Sequence, residues 1–382
     1  MDVAKHTQAE NKFLKQNQML KIKEITIHNI ALPLQGTIRM SKVIIEKSNS
    51  ILVKVKSTEE ISGWGEAASS LSMTGESAAG MILALEYIKN EIINKEIESV
   101  EDIYELIQRS IYGNYAAKSA IEVALIDLLA KTQKKTFSEL IGIKRREELP
   151  IIWRIAGAKN ETDEAKKMKD HGFSAFKIKV GANTIPEDLS RAENLRRALG
   201  KDIQLTADAN AGYSSKDALD LCSKIDSAGL DYMEQPVNGY DVETMKKCNS
   251  LMDTPLSADE GIHSQSDLIL HKKMNAADGA SLKLIKFGGI KALLLAVDYM
   301  KGQNMHVNIS GKAGDSSVSA ATIGHISHVA SKLDWYSNVS IQYLADDIIK
   351  NPMTIQDGKI ILRSGPGLGI EIDENKVEKY KL

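Results

Sequence analysis

From Pro150 onward, short apolar stretches bounded by turn residues alternate with charged, helix-patterned segments. This alternation constrains the fold more than any other feature of the chain. The apolar stretches fall at 150–156, 174–180, 203–208, 230–235, 255–260, 280–285, 305–310 and 338–344, with helices expected in the gaps. Strands that alternate with helices pair in parallel, because each crossover returns the chain to the same end of the sheet. Eight such units point to a closed barrel, in which the functional groups gather at the C-terminal ends of the strands.

Upstream the texture differs. The segment LKIKEITIHNIALPL, beginning at residue 20, alternates like a strand. SILVKVKS and ISGWGEAA add two more, with Gly63 and Gly65 expected at a turn. Helical patterning follows at 76–97, 101–109 and 116–133. The expected organisation is an N-terminal extension (1–18), an α+β module (19–147), a barrel (148–345) and a tail (346–382) that returns to the first module. A chain of 382 residues can bury cores of this size.

Charge is nearly balanced, with 49 Lys+Arg against 51 Asp+Glu, so no global field favours nucleic acid or an anionic membrane surface. No apolar run reaches the ~20 residues of a membrane span, and the polar N-terminus lacks the apolar centre of a signal peptide. The two cysteines, Cys222 and Cys248, fall on helical segments and form no disulfide framework; the expectation is a reducing cytoplasm.

The strand ends are unusually charged. FKIKVG places Lys177 and Lys179 on one face of strand two, LTADAN ends strand three with Asp208, YMEQP ends strand four with Glu234, and LSADEG ends strand five with Asp259. The steps between the acids are 26 and 25 residues, one βα unit each. Strand six, SLKLIKFGG, supplies Lys283 and Lys286. Taken singly, each acid has an ordinary alternative as a helix cap or solvated loop group, and each lysine as a surface residue. Their order on five consecutive strands does not suit solvated charges. Three carboxylates on neighbouring strands repel unless a cation sits among them, and an all-oxygen set without His or Cys suits Mg²⁺. Such a cation leaves positions for a substrate carboxylate and stabilises the enolate formed when the adjacent carbon loses its proton. A lysine works as the base once a neighbouring cation and partial burial lower its pKa, and Lys177 beside Lys179 is such a neighbour.

With GWGEAA, Thr74-Gly75-Glu76, AKSAIEVALIDLLAK, FKIKVG, ADAN, EQP, ADE, LKLIKFGG and GPGLGIEID in this order, the chain resembles the enolase superfamily, within it the muconate lactonizing enzyme group. The resemblance runs from residue 19 to the end. It implies a (β/α)7β barrel under an α+β capping domain formed by the N-terminal region and the tail. One Mg²⁺ per site is implied on Asp208, Glu234 and Asp259, with Mn²⁺ able to take its place. Lys179 and Lys283 become acid/base groups on opposite faces of the substrate, with Lys177 tuning Lys179. Two facing lysines invert a centre, which is racemisation or epimerisation of an amino acid derivative, imino acid or dipeptide. The same enolate serves muconate-type cycloisomerisation or dehydration. A catalytically silent barrel would have lost a ligand or a lysine, and none is lost. Relatives assemble as homodimers or octamers.

Substrate-binding or supporting roles are expected for Asn210, Glu260, Asp315 (where relatives commonly carry Glu), Trp153, Lys286 and Arg39. Arg39 and Trp153 have plain alternatives as a solvated loop residue and as barrel filling. Specificity is expected from loops around Gln35–Lys42 and Ser69–Glu76 and from the strand-end pair Trp153 and Arg154. The paired acids that read a free substrate amine in dipeptide epimerases are absent from DWYSNVSIQYLADD, where Asp346 and Asp347 come too late. Gly261 stands where many relatives carry serine. Gly288-Gly289 reads as a tight turn or an anion-accepting helix start. His263, His306, His325 and His328 are expected to be structural or superficial.

Overall fold

The computed structural model describes residues 20–40, 43–155 and 160–382; the N-terminal extension lies outside the described residues, as do residues 41–42 and the Arg39 side chain. Three long antiparallel strands, β1 (Leu20–Met40), β2 (Val43–Ser57) and β3 (Ser62–Ala68), form a sheet in the order β3-β2-β1, to which the short β4 (Glu96–Ile97) adds at the far edge. The expected loop at Gln35 is instead a continuation of β1 past an irregularity between Pro33 and Ile38. Helices α1 (Ala78–Ile92) and α2 (Val100–Ser110) cover the module, and α3 (Tyr115–Thr132) runs through its centre, followed by the short α4 (Phe137–Ile141). Because α3 is apolar on almost every face, it can only be a buried helix, and it is buried along nearly its whole length.

Gly63 and Gly65 lie inside β3, not at a turn. A Cβ on Gly65 would stand 2.0 Å from the Ala120 carbonyl oxygen, and one on Gly63 would stand 2.1 Å from that of Ala124. The two glycines therefore let the strand lie directly on the α3 backbone.

Strands β5 (Trp153–Ile155), β6 (Ala175–Lys179), β7 (Gln204–Asp208), β8 (Tyr232–Glu234), β9 (Leu256–Ala258), β10 (Gly279–Leu282), β11 (His306–Ser310) and β12 (Ser337–Asn338) pair in parallel in chain order. A bridge between Ile151 and Ser337 and the hydrogen bond from the Ile152 N–H to the Ser337 carbonyl (2.9 Å) bring the last strand to the first. The eighth strand is shorter than its sequence suggests, because the chain turns at Ser340 into a 3₁₀ turn, Ile341–Tyr343. Helices α5 (Glu161–Asp170), α6 (Ile185–Leu199), α7 (Ser215–Cys222), α8 (Val242–Leu251), α9 (Gln265–Met274), α10 (Leu284–Phe287), α11 (Ile290–Gly302) and α12 (Ser317–Val329) fill the gaps. GLGIEID in the tail makes only isolated bridges, Gly367 to Thr136 and Ile372 to Ile349, before α13 (Glu374–Lys379). The tail meets the first sheet where Lys381 bridges Ile30 and the Lys54 ammonium pairs with Glu374 at 2.6 Å.

The two parts are joined through helix N-termini. Glu66 on β3 accepts from the Ser316 and Ser319 N–H groups and from the Ser316 hydroxyl (2.6 Å) at the start of α12. Glu122 on α3 accepts from the Ile290 N–H (2.6 Å) at the start of α11. Gly288-Gly289, read as a tight turn or an anion-accepting helix start, thus leads into a helix start that takes the chain's own carboxylate, placed where unpaired N–H groups and the helix dipole favour it. Asp347 does the same for the Ser317 N–H and hydroxyl. Among the described residues no helix is long and apolar enough to cross a membrane.

Candidate active site

Parallel pairing sets the acids side by side, since Lys179 lies opposite Asp208 on β7 and Asp208 opposite Glu234 on β8. Asp259 follows β9 directly, and Lys283 follows β10. All three carboxylates are buried, and each carries a lysine: Lys179 Nζ lies 2.5 Å from Asp208 Oδ2, Lys177 Nζ 2.6 Å from Glu234 Oε2, and Lys283 Nζ donates to Asp259 Oδ2. Lys286 is fully buried beneath the site, donating to Asp259 Oδ1 (2.7 Å), to the Asp259 carbonyl (2.6 Å) and to the Ser281 carbonyl (3.0 Å). It orients the acid and does not face the cavity. Gln235 completes this support, its Oε1 accepting from the Asp259 N–H at 2.8 Å and the Gly261 N–H at 3.2 Å. Sequence reading assigned Gln235 no role; its place directly after Glu234 and its left-handed φ of 38° mark a backbone held for a purpose.

Asn210 also has a left-handed backbone, φ 44°. Its amide accepts from Lys179 (2.7 Å) and donates to Glu260 Oε1 (3.2 Å). Glu260 Oε2 is buried with no partner among the described residues. Burial, followed by the charges of Asp259 and Asp208, pushes the Glu260 carboxyl up to about 7. Burial also drives Glu234 upward and, with Asp208 and Asp259 beside it, outweighs Lys177. The expected lowering of lysine pKa values is not what the site shows at Lys177 and Lys283. Burial works against their charge, yet Glu234 for Lys177 and Asp259 for Lys283 more than offset it, and both ammonium groups are held above the ordinary value.

Among the described residues no trio of His, Cys, Asp or Glu side chains forms a ready-made ligand cage, because the ammonium groups take the oxygens. The donor set nevertheless fits a hard divalent cation. It consists entirely of oxygens, lies on adjacent strands, leaves Glu260 Oε2 unpaired, and is acidic enough that burial raises two of its carboxyls.

The site opens into a cavity of about 860 Å³. Its floor holds the three acids, Lys177, Lys179, Lys283, Asn210 and Glu260; its roof is Ser69–Glu76 of the capping module. Its far wall, from β5, β11 and β12, presents Arg154, Lys312, Asn338, Ser340 and Tyr343. Of these only Arg154 was anticipated. Lys312 directly follows a strand-end Ser-Gly and was open to the same reading as the other strand-end charges, whereas Tyr343 was hidden in what read as strand. His263 also lines the cavity, its Nε2 2.7 Å from the Met73 carbonyl, so it pins the roof to the barrel. Trp153 and Asp315 lie elsewhere. Trp153 faces away, its indole N–H donating to Glu164 (2.9 Å) and its rings packing on Phe173 and Tyr343, because neighbouring residues of a strand face opposite sides. Asp315 lies behind the wall, accepting from the Lys312 N–H at 2.6 Å, and burial pushes its carboxyl up to about 8. Arg39 is on β1 opposite Ile44, its side chain outside the described residues.

Two family models cover most of the chain: the mandelate racemase / muconate lactonizing enzyme N-terminal domain over residues 22–142 and the enolase C-terminal domain-like family over 160–376. The N-succinyl-L-Arg/Lys racemase of Bacillus cereus is 30% identical over 364 residues, covering 94% of this chain and 98% of the relative. The L-Ala-D/L-Glu epimerase of Clostridium acetobutylicum is 29% identical (92% and 98% covered), and a chloromuconate cycloisomerase of Pseudomonas putida is 26% identical (94% and 99%). In structure, the muconate lactonizing enzyme of Pseudomonas fluorescens complexed with muconolactone superposes with a TM-score of 0.89 at 25% identity, covering 95% of this chain and all of that one. The B. cereus racemase superposes with a TM-score of 0.86 at 29% identity, covering 95% and 98%. With both domains matched and the acids and lysines converging at one barrel mouth, the chain belongs to the enolase superfamily, in its muconate lactonizing enzyme group, and is an isomerase.

Proposed function

We propose that the chain inverts the carbon α to a carboxylate in an N-acylated amino acid or related derivative, by Mg²⁺-dependent proton removal on one face and return on the other. The observation that carries this is the placement of Lys179 on β6 and Lys283 after β10, which flank the acids of β7, β8 and β9 from opposite sides. Asp208, Glu234 and Asp259 would hold Mg²⁺, which when bound supplies the positive charge that stabilises the substrate carboxylate as its α-proton leaves. Lys179, as the free amine, accepts that proton at Nζ. Lys177, tied to Glu234, keeps a fixed positive charge on the same strand face as Lys179. Lys283, as the ammonium, delivers a proton to the other face, and the centre is inverted with no net change in protons. The roof and its His263 latch exclude water from the reacting carbon. The racemase relative supports the N-acyl reading, and the cycloisomerase relatives support a second one, ring closure of a conjugated dicarboxylate through the same half-reaction.

The test is NMR of the purified Mg²⁺-loaded protein in D₂O with N-succinyl and N-acetyl amino acids, dipeptides and cis,cis-muconate. Exchange of the α-proton with inversion and an unchanged carbon skeleton is the expected result. Lactone formation selects the second reading; no exchange and no lactone with any of them removes both.

A further inference from the structure

The lysines on the cavity floor each have a carboxylate of the chain to answer them, and among the described residues Arg154 has none. Its Nε and Nη1 are buried without a hydrogen-bond partner among the described residues. Buried donors of a cation left in that state are costly and uncommon, which makes the position of this guanidinium informative. It is also held in place. The group lies over the Tyr343 ring at 4.6 Å, and the Tyr343 hydroxyl accepts from the Arg154 backbone N–H at 3.0 Å, so ring and strand end form one unit.

The barrel puts this unit where it can act on the far end of a substrate. Arg154 lies opposite Lys177 across the β5–β6 pair, on the wall that β5 shares with β12. In a ring of eight strands β5 stands across from β9, behind which Asp259 sits. A molecule with its reacting carboxylate at the acids and its α-carbon between the two lysines extends its remaining arm toward Arg154. Asn338, Ser340 and Lys312 complete that wall and add no carboxylate to it.

We infer that Arg154, oriented by Tyr343, is an anion anchor, and that the natural substrate carries a second carboxylate at the end opposite the reacting one. This inference rests on the α-proton chemistry proposed above only for the orientation of the substrate. A guanidinium fork takes a carboxylate through two parallel N–H bonds, and such charge-assisted bonds are the strong ones.

The test compares Nα-succinyl-L-lysine with Nα-acetyl-L-lysine, which differ in the distal carboxylate, and adds cis,cis-muconate as a dicarboxylate of another kind. Affinities are measured by calorimetry on the Mg²⁺-loaded protein and turnover by α-proton exchange, for wild type, Arg154→Gln and Arg154→Lys, with circular dichroism to verify folding. The succinyl compound should be favoured by about 10- to 100-fold in wild type. Arg154→Gln should bring that ratio close to one through KM or Kd, with kcat little moved, and Arg154→Lys should restore part of it. If muconate binds more tightly than the succinyl compound and shows the same loss in Arg154→Gln, the anchor stands and the substrate is a conjugated diacid. A preference that collapses in binding while no proton exchanges retains the anchor and defeats the racemase reading. Equal affinity for the two lysine derivatives in wild type, no binding of any of the three compounds, or an undiminished ratio in Arg154→Gln overturns the anchor whether or not protons exchange.

Discussion

At the scale of single residues, the site is a set of buried charges that answer one another: Lys179 and Asp208, Lys177 and Glu234, and Lys283 with Lys286 on Asp259. Lys179 and Lys283 each hold a carboxylate and face the cavity; removing either takes away a proposed proton carrier, and removing Lys179 leaves Asp208 without its ammonium, whereas Asp259 keeps Lys286. Lys179→Ala and Lys283→Ala should each lower kcat by at least about 10²- to 10⁴-fold, the usual contribution of a positioned acid or base. Without metal, Lys179→Ala should also be less stable than wild type, by about 3 kcal/mol or more, because buried Asp208 has lost its partner, and Lys283→Ala should lose less, because Lys286 still answers Asp259. Denaturant unfolding with and without Mg²⁺ reads both effects: excess Mg²⁺ should narrow the stability gap without restoring turnover. Full inversion by either variant would falsify the two-lysine assignment. Trp153 and Arg154 are neighbours on one strand, and only the second reaches the cavity, a distinction of strand facing that the two letters alone do not carry.

At the scale of elements, the fold relies on close backbone contact and on caps shared between modules. Gly65→Ala should cost about 1–3 kcal/mol or more, since its methyl group would meet the Ala120 carbonyl and β3 cannot retreat from α3 without opening the core. Loss of that much in a urea titration is expected, and an unchanged midpoint would show that the strand moves freely. Glu122 caps α11 from inside the core, and burial raises its carboxyl from its ordinary value of 4.5 to about 7. A folded-state value above the unfolded one means that folding takes up a proton. The contribution is complete below about pH 4.5 and is lost as pH rises through 7, to a maximum of about 3 kcal/mol. Glu122→Gln keeps the acceptor oxygen and removes the titration, so the fall in melting temperature from pH 5 to pH 8 should be shallower than in wild type. Parallel curves would show that Glu122 does not titrate in this range.

At the scale of the whole molecule, the capping module and the barrel are coupled by carboxylates that one part lends to the other. Glu66 and Glu122 bind barrel helices, and His263 holds the roof through Met73. A divalent cation bound at Asp208, Glu234 and Asp259 should therefore stabilise the entire chain and not only the barrel mouth. Chelator-treated protein should lose α-proton exchange, and Mg²⁺ at about 100 times its dissociation constant should add about 2.7 kcal/mol to unfolding. Calorimetric melting with Mg²⁺, with Mn²⁺ and with chelator gives the comparison; melting curves that coincide would argue against a cation at this site.

The sequence by itself determined the barrel class and the order of its charged strand ends. Both follow from local periodicity and from the length of one βα unit, which brings Asp208, Glu234 and Asp259 to successive strands however the rest packs. Helix patterning likewise placed α2 and α3 to within one residue, whereas the helix expected over 76–97 ends at Ile92 and its last two residues form β4; the short α4 was missed, since five residues carry little periodicity. Only the tertiary structure decided which acid answers which lysine, that Gly63 and Gly65 serve a close approach and not a turn, and that Asp347 caps a helix. It alone showed that Arg154 has no answering carboxylate among the described residues while Trp153 turns away from the cavity. These are contacts between residues far apart in the chain. They depend on barrel closure and on domain docking, and a pattern that repeats every two or every 3.6 residues carries no information about either.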